Sequence, residues 1–422
     1  MKIRNMIMKL LYISCLLLTN LITKAQSETA SSFEPFATAQ GRLFVKAYEQ
    51  KDIETYQKLL ETFTNRYNKL DSTTKKEFSG HLQNAYYNLS CTYSLLNNKS
   101  QAISYLRKSV YAGYLNYAHL QEDGDLDNIR GEKEFKTIMA GLRATGDYFF
   151  ILKQAGMYNN KDDREIPAFT YQSADDSNLR ALRKGFNLDS IAGEGSDILK
   201  MINLLRWVHN LIPHDGNHAN PQVKNAMYMI SVCKKENRGL NCRGLATVLN
   251  ECYLAMGFKS RFVTCLPKDS LKVDPDCHVI NMIYSTSLQK WIWMDPTNNA
   301  YVMDEQGMLL SIEEVRDRII LGKPLLLNPD ANWNNKVSKT KEDYLYNYMA
   351  KNLYLLQCPV SSEYNTETEA EGKTVNYITL TPVVYFNQQK KAFEEKNKKS
   401  NTTYKMYQTN NSEIFWKKPF TK

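Results

Sequence analysis

The chain has 422 residues, 43% of them hydrophobic and 23% charged, with only 18 Gly, 12 Pro and 8 Cys. That composition excludes collagen-like, Pro-rich and disulfide-scaffold proteins, and the length allows two or three domains of ~100–200 residues. The formal net charge is +9, held as +4 in residues 1–25, +6 in residues 386–422 and −1 in everything between. A nucleic-acid binder carries its basic residues on the folded body, so this distribution argues against nucleic acid as a partner.

The first element is a mostly apolar run from Leu10 to Leu21, preceded by Lys2, Arg4 and Lys9 and followed by Thr23 and Ala25. A basic segment, a short apolar run and small residues together read as a cleaved signal peptide over 1–25. The run is shorter than the ~20 residues that span a bilayer, and Cys15 lies within it rather than after it, which weighs against a lipoprotein. The expectation is an exported chain, periplasmic or secreted, with no integral membrane segment once mature. Seven Cys then remain, an odd number, so at least one thiol stays outside any internal disulfide. Cys233, Cys242, Cys252, Cys265 and Cys277 include no C-x-x-C, a poor pattern for a metal site. No cofactor is expected.

From Ser32 to about Ala155 apolar residues recur at helical spacing. Tyr86, Leu89, Ser90 and Tyr93 fall on one helix, Asn97-Asn98 in a turn, and Ala102, Leu106 and Ser109 on the next. Small residues at Ser90, Ala102 and Ser109 permit the close approach of two helices. The segment resembles a tetratricopeptide unit of ~34 residues with degenerate neighbours, and such a region is a docking place for a protein partner. Its Tyr-rich face reads as core. Polar residues at Asn159–Asp176, with Pro167, mark a boundary. Helical patterns resume at Leu179–Gly185 and Ile198–Leu211, and the second ends at Ile212-Pro213-His214-Asp215-Gly216.

Asn241 is a good N-cap, and a helix is predicted from Cys242 to Gly257 with Leu245, Val248, Leu249, Cys252 and Met256 on its buried stripe. Three strands follow, at Phe258–Leu266, Cys277–Tyr284 and Gln289–Asp295. Beyond Pro296 the pattern predicts helices at Ser311–Leu321 and Asp343–Leu355 and a strand at Tyr377–Tyr385. The Lys/Asn/Gln-rich end from Gln388 is expected to be loosely ordered.

A nucleophilic Cys acts as its thiolate, which a helix N-terminus stabilises. Cys242 is placed for this, with Arg243 beside it; Cys252, on the buried stripe, is not. A thiolate also needs an imidazole oriented by a third group. Pairing His278 with Asp295 across the hairpin sets Ile280 opposite Trp293, Met282 opposite Trp291 and Tyr284 opposite Gln289, with a four-residue loop. Directly opposed residues share a face, so His278 and Asp295 meet, while Cys277 points the other way into packing. His214 and His218 have the i, i+4 spacing of a metalloprotease helix, but no Glu follows His214, and Pro213 and Gly216 oppose a helix. Ser196 lacks the flanking glycines of a nucleophile elbow.

The segments Gly239-Leu-Asn-Cys-Arg-Gly-Leu-Ala246, Ala255-Met-Gly-Phe-Lys-Ser-Arg-Phe262, Asp276-Cys-His278 and Lys290-Trp-Ile-Trp-Met-Asp-Pro-Thr297 resemble the transglutaminase-like superfamily, a branch of the papain-like fold. The resemblance covers Ile198–Thr297 and extends more weakly over Ser311–Trp333. It implies an α+β fold, a papain-like transglutaminase core in which a helix packs on an antiparallel sheet, behind an N-terminal all-α tetratricopeptide-like region. It also implies Cys242 as nucleophile, His278 as general base and acid, and Asp295 as orienter. The Cys242 backbone N–H would be one oxyanion donor and His214 the candidate for a second. Val279-Ile280-Asn281 departs from the family, where an aromatic commonly follows the His.

The domains read as a signal peptide at 1–25, a helical region at 32–158, a transglutaminase-like domain at 165–335, an extension packing on that core at 336–387 and a flexible basic tail at 388–422. The function this implies is a cysteine-dependent amide hydrolase or peptidase, or a transamidase, acting on a peptide or protein amide through a thioester. The alternative is a catalytically silent binding or scaffolding protein that uses its helical repeats.

Overall fold

The structure, a computed structural model, describes residues 29–156, 158–159, 164–269, 276–386 and 393–419. The leader expected at 1–25 lies outside the described residues. The chain divides into two compact units, one ending at Asp147 and the other beginning at Tyr148. This division precedes the boundary expected at 158 because Ile151, Leu152 and Ala155 are buried in the second unit's core.

The first unit is helical: α1 (Ala30–Glu49), α2 (Ile53–Tyr67), α3 (Ser72–Leu95), α4 (Lys99–Tyr111) and, after short helical turns, α5 (Lys133–Gly146). Asp52, Asp71 and Asn98 cap α2, α3 and α4 by accepting backbone N–H bonds, which satisfies donors that a helix start leaves free. Phe33, Phe44, Tyr56, Phe63 and Phe78 fill one core. In the α3–α4 hairpin Asn97 takes a positive φ of 58°. Ser90 and Ser109 are fully buried between the helices, where Ser90 Oγ donates to Ala102 O at 2.8 Å and Ser109 Oγ to Gln83 O at 2.9 Å.

The second unit is built on one helix and one sheet. The helices α6 (Ser177–Gly185), α7 (Asp197–Leu211) and α8 (Ala226–Glu236) surround α9 (Cys242–Ala255), and Leu179, Leu205, Met229, Val248 and Leu249 are buried together. Beyond its first turn α9 is buried on every side, so its residues are mostly apolar or small. The buried Glu251 and Asn250 are hydrogen-bonded, Glu251 accepting the Ala226 and Asn365 N–H groups and Asn250 donating to Ser362. Gly257 ends it at φ 84°, a conformation suited to glycine.

The sheet has seven strands: β1 (Ser260–Leu266), β2 (His278–Ser285), β3 (Lys290–Met294), β4 (Leu355–Pro359), β5 (Thr374–Leu380), β6 (Phe393–Lys396) and β7 (Thr403–Thr409), in the order β6-β7-β5-β4-β1-β2-β3. All neighbours are antiparallel except β5 and β7. One face of β2 and β3 presents Ile280, Met282, Trp291 and Trp293 to a core shared with α10 (Ile312–Leu321). The other presents Ile283, Ile292 and Met294 to α9. With both faces covered, these strands are apolar almost throughout.

Three expectations change. The residues predicted as one helix at Asp343–Leu355 form a π-helix, Glu342–Met349, a short α-turn and then β4. Tyr377–Tyr385, predicted as a strand, divides into the end of β5 and a helical turn, Val383–Phe386. The end expected to be a flexible tail supplies β6, β7 and the turn Ser412–Phe415, with Phe415 fully buried. The parallel pairing of β7 with β5, from Thr374 with Thr403 to Leu380 with Thr409, overrides the polar composition there. Residues 336–387 therefore build the sheet rather than only pack on it. Among the described residues no helix is long and apolar enough to cross a membrane.

Candidate active site

Cys242 is the first residue of α9. The cap, Asn241, has extended backbone (ψ 175°), and its Oδ1 accepts the Gly244 N–H at 3.2 Å. Asn220 locks this cap: its Nδ2 donates to Asn241 Oδ1 at 2.7 Å, and its Oδ1 accepts the Asn241 N–H at 3.1 Å. Such closeness needs glycine at 244, where a Cβ would lie 2.7 Å from Asn220 Oδ1. At the first helical position the Cys242 N–H has no intrahelical acceptor and lies at the positive end of the helix dipole.

His278 opens β2 and Asp295 follows β3. His278 Nε2 lies 2.7 Å from Asp295 Oδ2, and both residues are buried. The strand register differs from the expected one by two residues. Met282 pairs with Trp293, Tyr284 with Trp291 and Ser285 with Lys290, leaving 286–289 as the loop. Gln289 adopts φ 52°, a turn conformation that removes it from the strand. A shift of two restores the same face, so His278 and Asp295 meet on a diagonal instead of directly opposite.

Asp295 is held from several directions. Its Oδ1 accepts the backbone N–H of Thr297 at 2.8 Å and of Asn298 at 3.2 Å. Its Oδ2 accepts Asn298 Nδ2 at 3.0 Å and Tyr344 OH at 2.7 Å. Trp293 Nε1 in turn donates to the Tyr344 hydroxyl at 3.1 Å. Tyr344 and Tyr348 both come from the π-helix, a form that recurs at functional sites, and the Tyr348 ring meets the His278 ring edge-on with centroids 5.3 Å apart. Sequence periodicity gave no sign of either tyrosine's role, because both meet their partners, Asp295 and His278, far away along the chain.

His214 lines the same cleft as the sulfur. It bridges to Leu240, with Asp215 N–H donating to Leu240 O at 2.7 Å and Leu240 N–H to Pro213 O at 3.1 Å. Trp333 Nε1 donates to His214 Nδ1 at 3.2 Å.

The charges follow from these contacts. Burial alone would raise the Cys242 pKa. Hydrogen bonds from His214, His278 and the Val279 N–H, with the charge on His278, outweigh burial and bring it down to about 6. For His278, burial opposes the charged ring, but Asp295 and Cys242 prevail and raise it to about 10. Asp295 is lowered to about 2, against burial, by the His278 charge and the bonds from His278, Asn298 and Tyr344. The site therefore favours a thiolate beside an imidazolium. The three residues Cys242, His278 and His214 line one cleft of about 460 Å³ together with Arg243, Cys277, Asn298, Trp333 and Tyr348.

Other candidates are placed as follows. Arg243 is not a free charge beside the sulfur, since its Nη1 donates to Glu367 Oε1 at 2.7 Å and its Nη2 to Thr264 Oγ1 at 2.8 Å. Cys252 is fully buried. Cys277, expected to turn into packing, lines the cleft instead, because β2 begins only at His278 and position 277 escapes the strand alternation. Its burial raises its pKa to about 11. His218 lies in a loop with Nδ1 2.5 Å from Asp215 Oδ2, and Ser196 caps α7. All seven described cysteines are free thiols. Among the described residues no group of three His, Cys, Asp or Glu is placed to hold a metal ion.

Residues 185–296 match the family model of the transglutaminase-like superfamily. No curated protein matches the chain. A crystal structure of a candidate cysteine protease from Cytophaga hutchinsonii is 18% identical, with a TM-score of 0.22, covering 37% of this chain and 50% of that one. The present chain thus spans half the length of that structure. The matched segment carries α9 and β1–β3, so this part of the second unit is similar to the transglutaminase-like superfamily, within an α+β fold.

Proposed function

We propose that this chain is an exported cysteine-dependent amide hydrolase or peptidase. The observation that carries the reading is Cys242, at the start of α9, lining one cleft with His214 and with His278, whose Nε2 lies 2.7 Å from the buried Asp295 carboxylate. Cys242 attacks the carbonyl carbon of a peptide or protein amide. The oxyanion that forms is met by the Cys242 backbone N–H and by His214. His278, oriented by Asp295, gives its proton to the leaving amine, so the C–N bond breaks and a thioester remains on Cys242. His278 then takes a proton from water, and the hydroxide it generates attacks the thioester. The C–S bond breaks, releasing the acid and restoring the Cys242 thiolate beside the protonated His278. An amine in place of that water gives transamidation at the same thioester.

The helical unit is proposed as the protein-docking part, with the α3–α4 hairpin as a tetratricopeptide-like element supported by its close, serine-bridged packing. Two measurements test the whole reading. A screen against peptide and amide libraries, with Cys242→Ala as the blank, reads turnover. A thiol-directed active-site probe reads the nucleophile: its labelling of Cys242 should be lost in His278→Ala. Labelling insensitive to that change, with no turnover, favours a silent scaffold.

A further inference from the structure

The two imidazoles beside Cys242 have partners of opposite chemistry. His278 Nε2 faces the Asp295 carboxylate at 2.7 Å, which only accepts, so that nitrogen carries a proton and Nδ1 is the one left for exchange with the sulfur. His214 Nδ1 faces the indole N–H of Trp333 at 3.2 Å. An indole nitrogen only donates, so Nδ1 of His214 is bare, and in the neutral ring the proton sits on Nε2.

The position of His214 is fixed independently of its proton. Pro213 ends α7, and the backbone then runs beside Leu240, two residues ahead of Cys242. Position 239 must lack a side chain for this: a Cβ there would lie 2.3 Å from Pro213 O and 2.8 Å from Asp215 Cβ. From the other side Asn334 clamps the peptide, its Oδ1 accepting the His214 N–H at 2.6 Å and its Nδ2 donating to His214 O at 3.0 Å. Asn334 and Trp333 belong to a small hairpin in which Asn332 pairs with Ser338 and Trp333 with Val337. The buried His209 anchors it, with its Nε2 3.0 Å from Asn332 Oδ1. The backbone clamps set where the ring stands, and Trp333 meets its Nδ1 with a donor.

We infer that Trp333 is a positioning residue that divides the labour between the two histidines, holding His214 as an Nε2–H donor toward Cys242 and leaving His278 as the one ring able to accept a proton there. With Nε2 already protonated and Nδ1 taken by a donor, His214 has no lone pair to offer the Cys242 proton or a water. It serves a developing oxyanion instead. His214 lines the same cleft as Cys242 and lowers its pKa, as such a donor would. This inference rests on the proposed function for its catalytic meaning, but its structural core does not.

The first test is therefore independent of turnover. Nitrogen-15 NMR of the intact protein, with the His214 signals assigned by their loss in His214→Gln, should show a bare Nδ1 and a protonated Nε2 at neutral pH. A proton on Nδ1 overturns the inference, whether or not any substrate is found. The second test is kinetic, with the substrate that the library screen identifies. Trp333→Phe keeps the ring and removes the N–H, and it should lower kcat about tenfold with KM changed less than about twofold, since an oxyanion donor is misaligned rather than deleted. In a His214→Gln background the same change should cost less than about twofold. An equal loss in both backgrounds, or an effect on KM alone, makes Trp333 merely structural. If Trp333→Phe fails to fold, the NMR result on the unaltered protein still decides.

Discussion

Nε2 of His278 and Oδ2 of Asp295 are 2.7 Å apart on a diagonal of the β2–β3 hairpin, and both side chains are buried. The carboxylate there accepts from Thr297, Asn298 and Tyr344 as well. Asp295→Asn replaces an acceptor by a group that also donates, so the His278 ring loses its fixed tautomer. Turnover is expected to fall about 10³–10⁴-fold, as seen when a triad carboxylate is neutralised, and steady-state kinetics on the identified substrate check it.

The pH dependence has a definite sign. Cys242 has its pKa lowered to about 6 and His278 has its raised to about 10. Alkylation of Cys242 by iodoacetamide should therefore rise as pH passes about 6. Turnover should rise over the same range and fall above about 10, where His278 no longer has a proton to give. His278→Ala should move the alkylation midpoint upward, toward the ordinary thiol range of ~8–9. A midpoint unchanged from the parent protein would show that His278 does not hold the thiolate.

Asp295 also links stability to acid. Its pKa is lowered from 3.8 to about 2 in the folded chain, so its contribution is complete above about 4 and is lost as pH falls through about 2. Acid unfolding followed by circular dichroism should show the parent protein's advantage over Asp295→Asn shrinking across that interval.

Tyr344→Phe removes one hydroxyl from a buried chain of donors. The Trp293 N–H loses its acceptor and Asp295 loses one donor. An unsatisfied buried group costs about 1–3 kcal/mol, and denaturant titration should show a loss in that range. The fall in kcat should be smaller than for Asp295→Asn, because four other donors remain on the carboxylate.

Two glycines make a contrasting pair. Gly239→Ala places a Cβ 2.3 Å from Pro213 O, so the segment carrying His214 must move away from Leu240, and both melting temperature and turnover should drop. Gly257→Ala meets nothing within 4 Å, but its φ is +84°. It should cost about 1 kcal/mol through backbone strain alone and leave turnover unchanged.

The chemistry-bearing part of the fold was legible because it is local. A cap at Asn241, a helix to Gly257 and strands rich in β-formers are written in consecutive residues, and face alternation is robust enough that a register wrong by two still joins His278 to Asp295. Partners that arrive from far along the chain left no such trace. Trp333 reaches His214 across 119 positions and Tyr344 reaches Asp295 across 49, and neither spacing is periodic. The strands β6 and β7 were hidden by composition, since Lys405 and Glu394 satisfy each other across the pair at 2.8 Å and the stability comes from backbone pairing with β5.

The last described segment ties back to the strands that carry the candidate site. Trp291, in the same strand that leads to Asp295, gives its indole N–H to Trp416 O at 3.0 Å, and the buried Arg261 of β1 donates to Phe415 O at 3.0 Å. A nascent polypeptide that has displayed Cys242, His278 and Asp295 but not yet residues 403–416 lacks β7 and both of these tethers. A chain cut before β7 should therefore lose the packing that these tethers give to the strands carrying the candidate site, and a fusion placed after Trp416 should be tolerated where one placed before β7 is not.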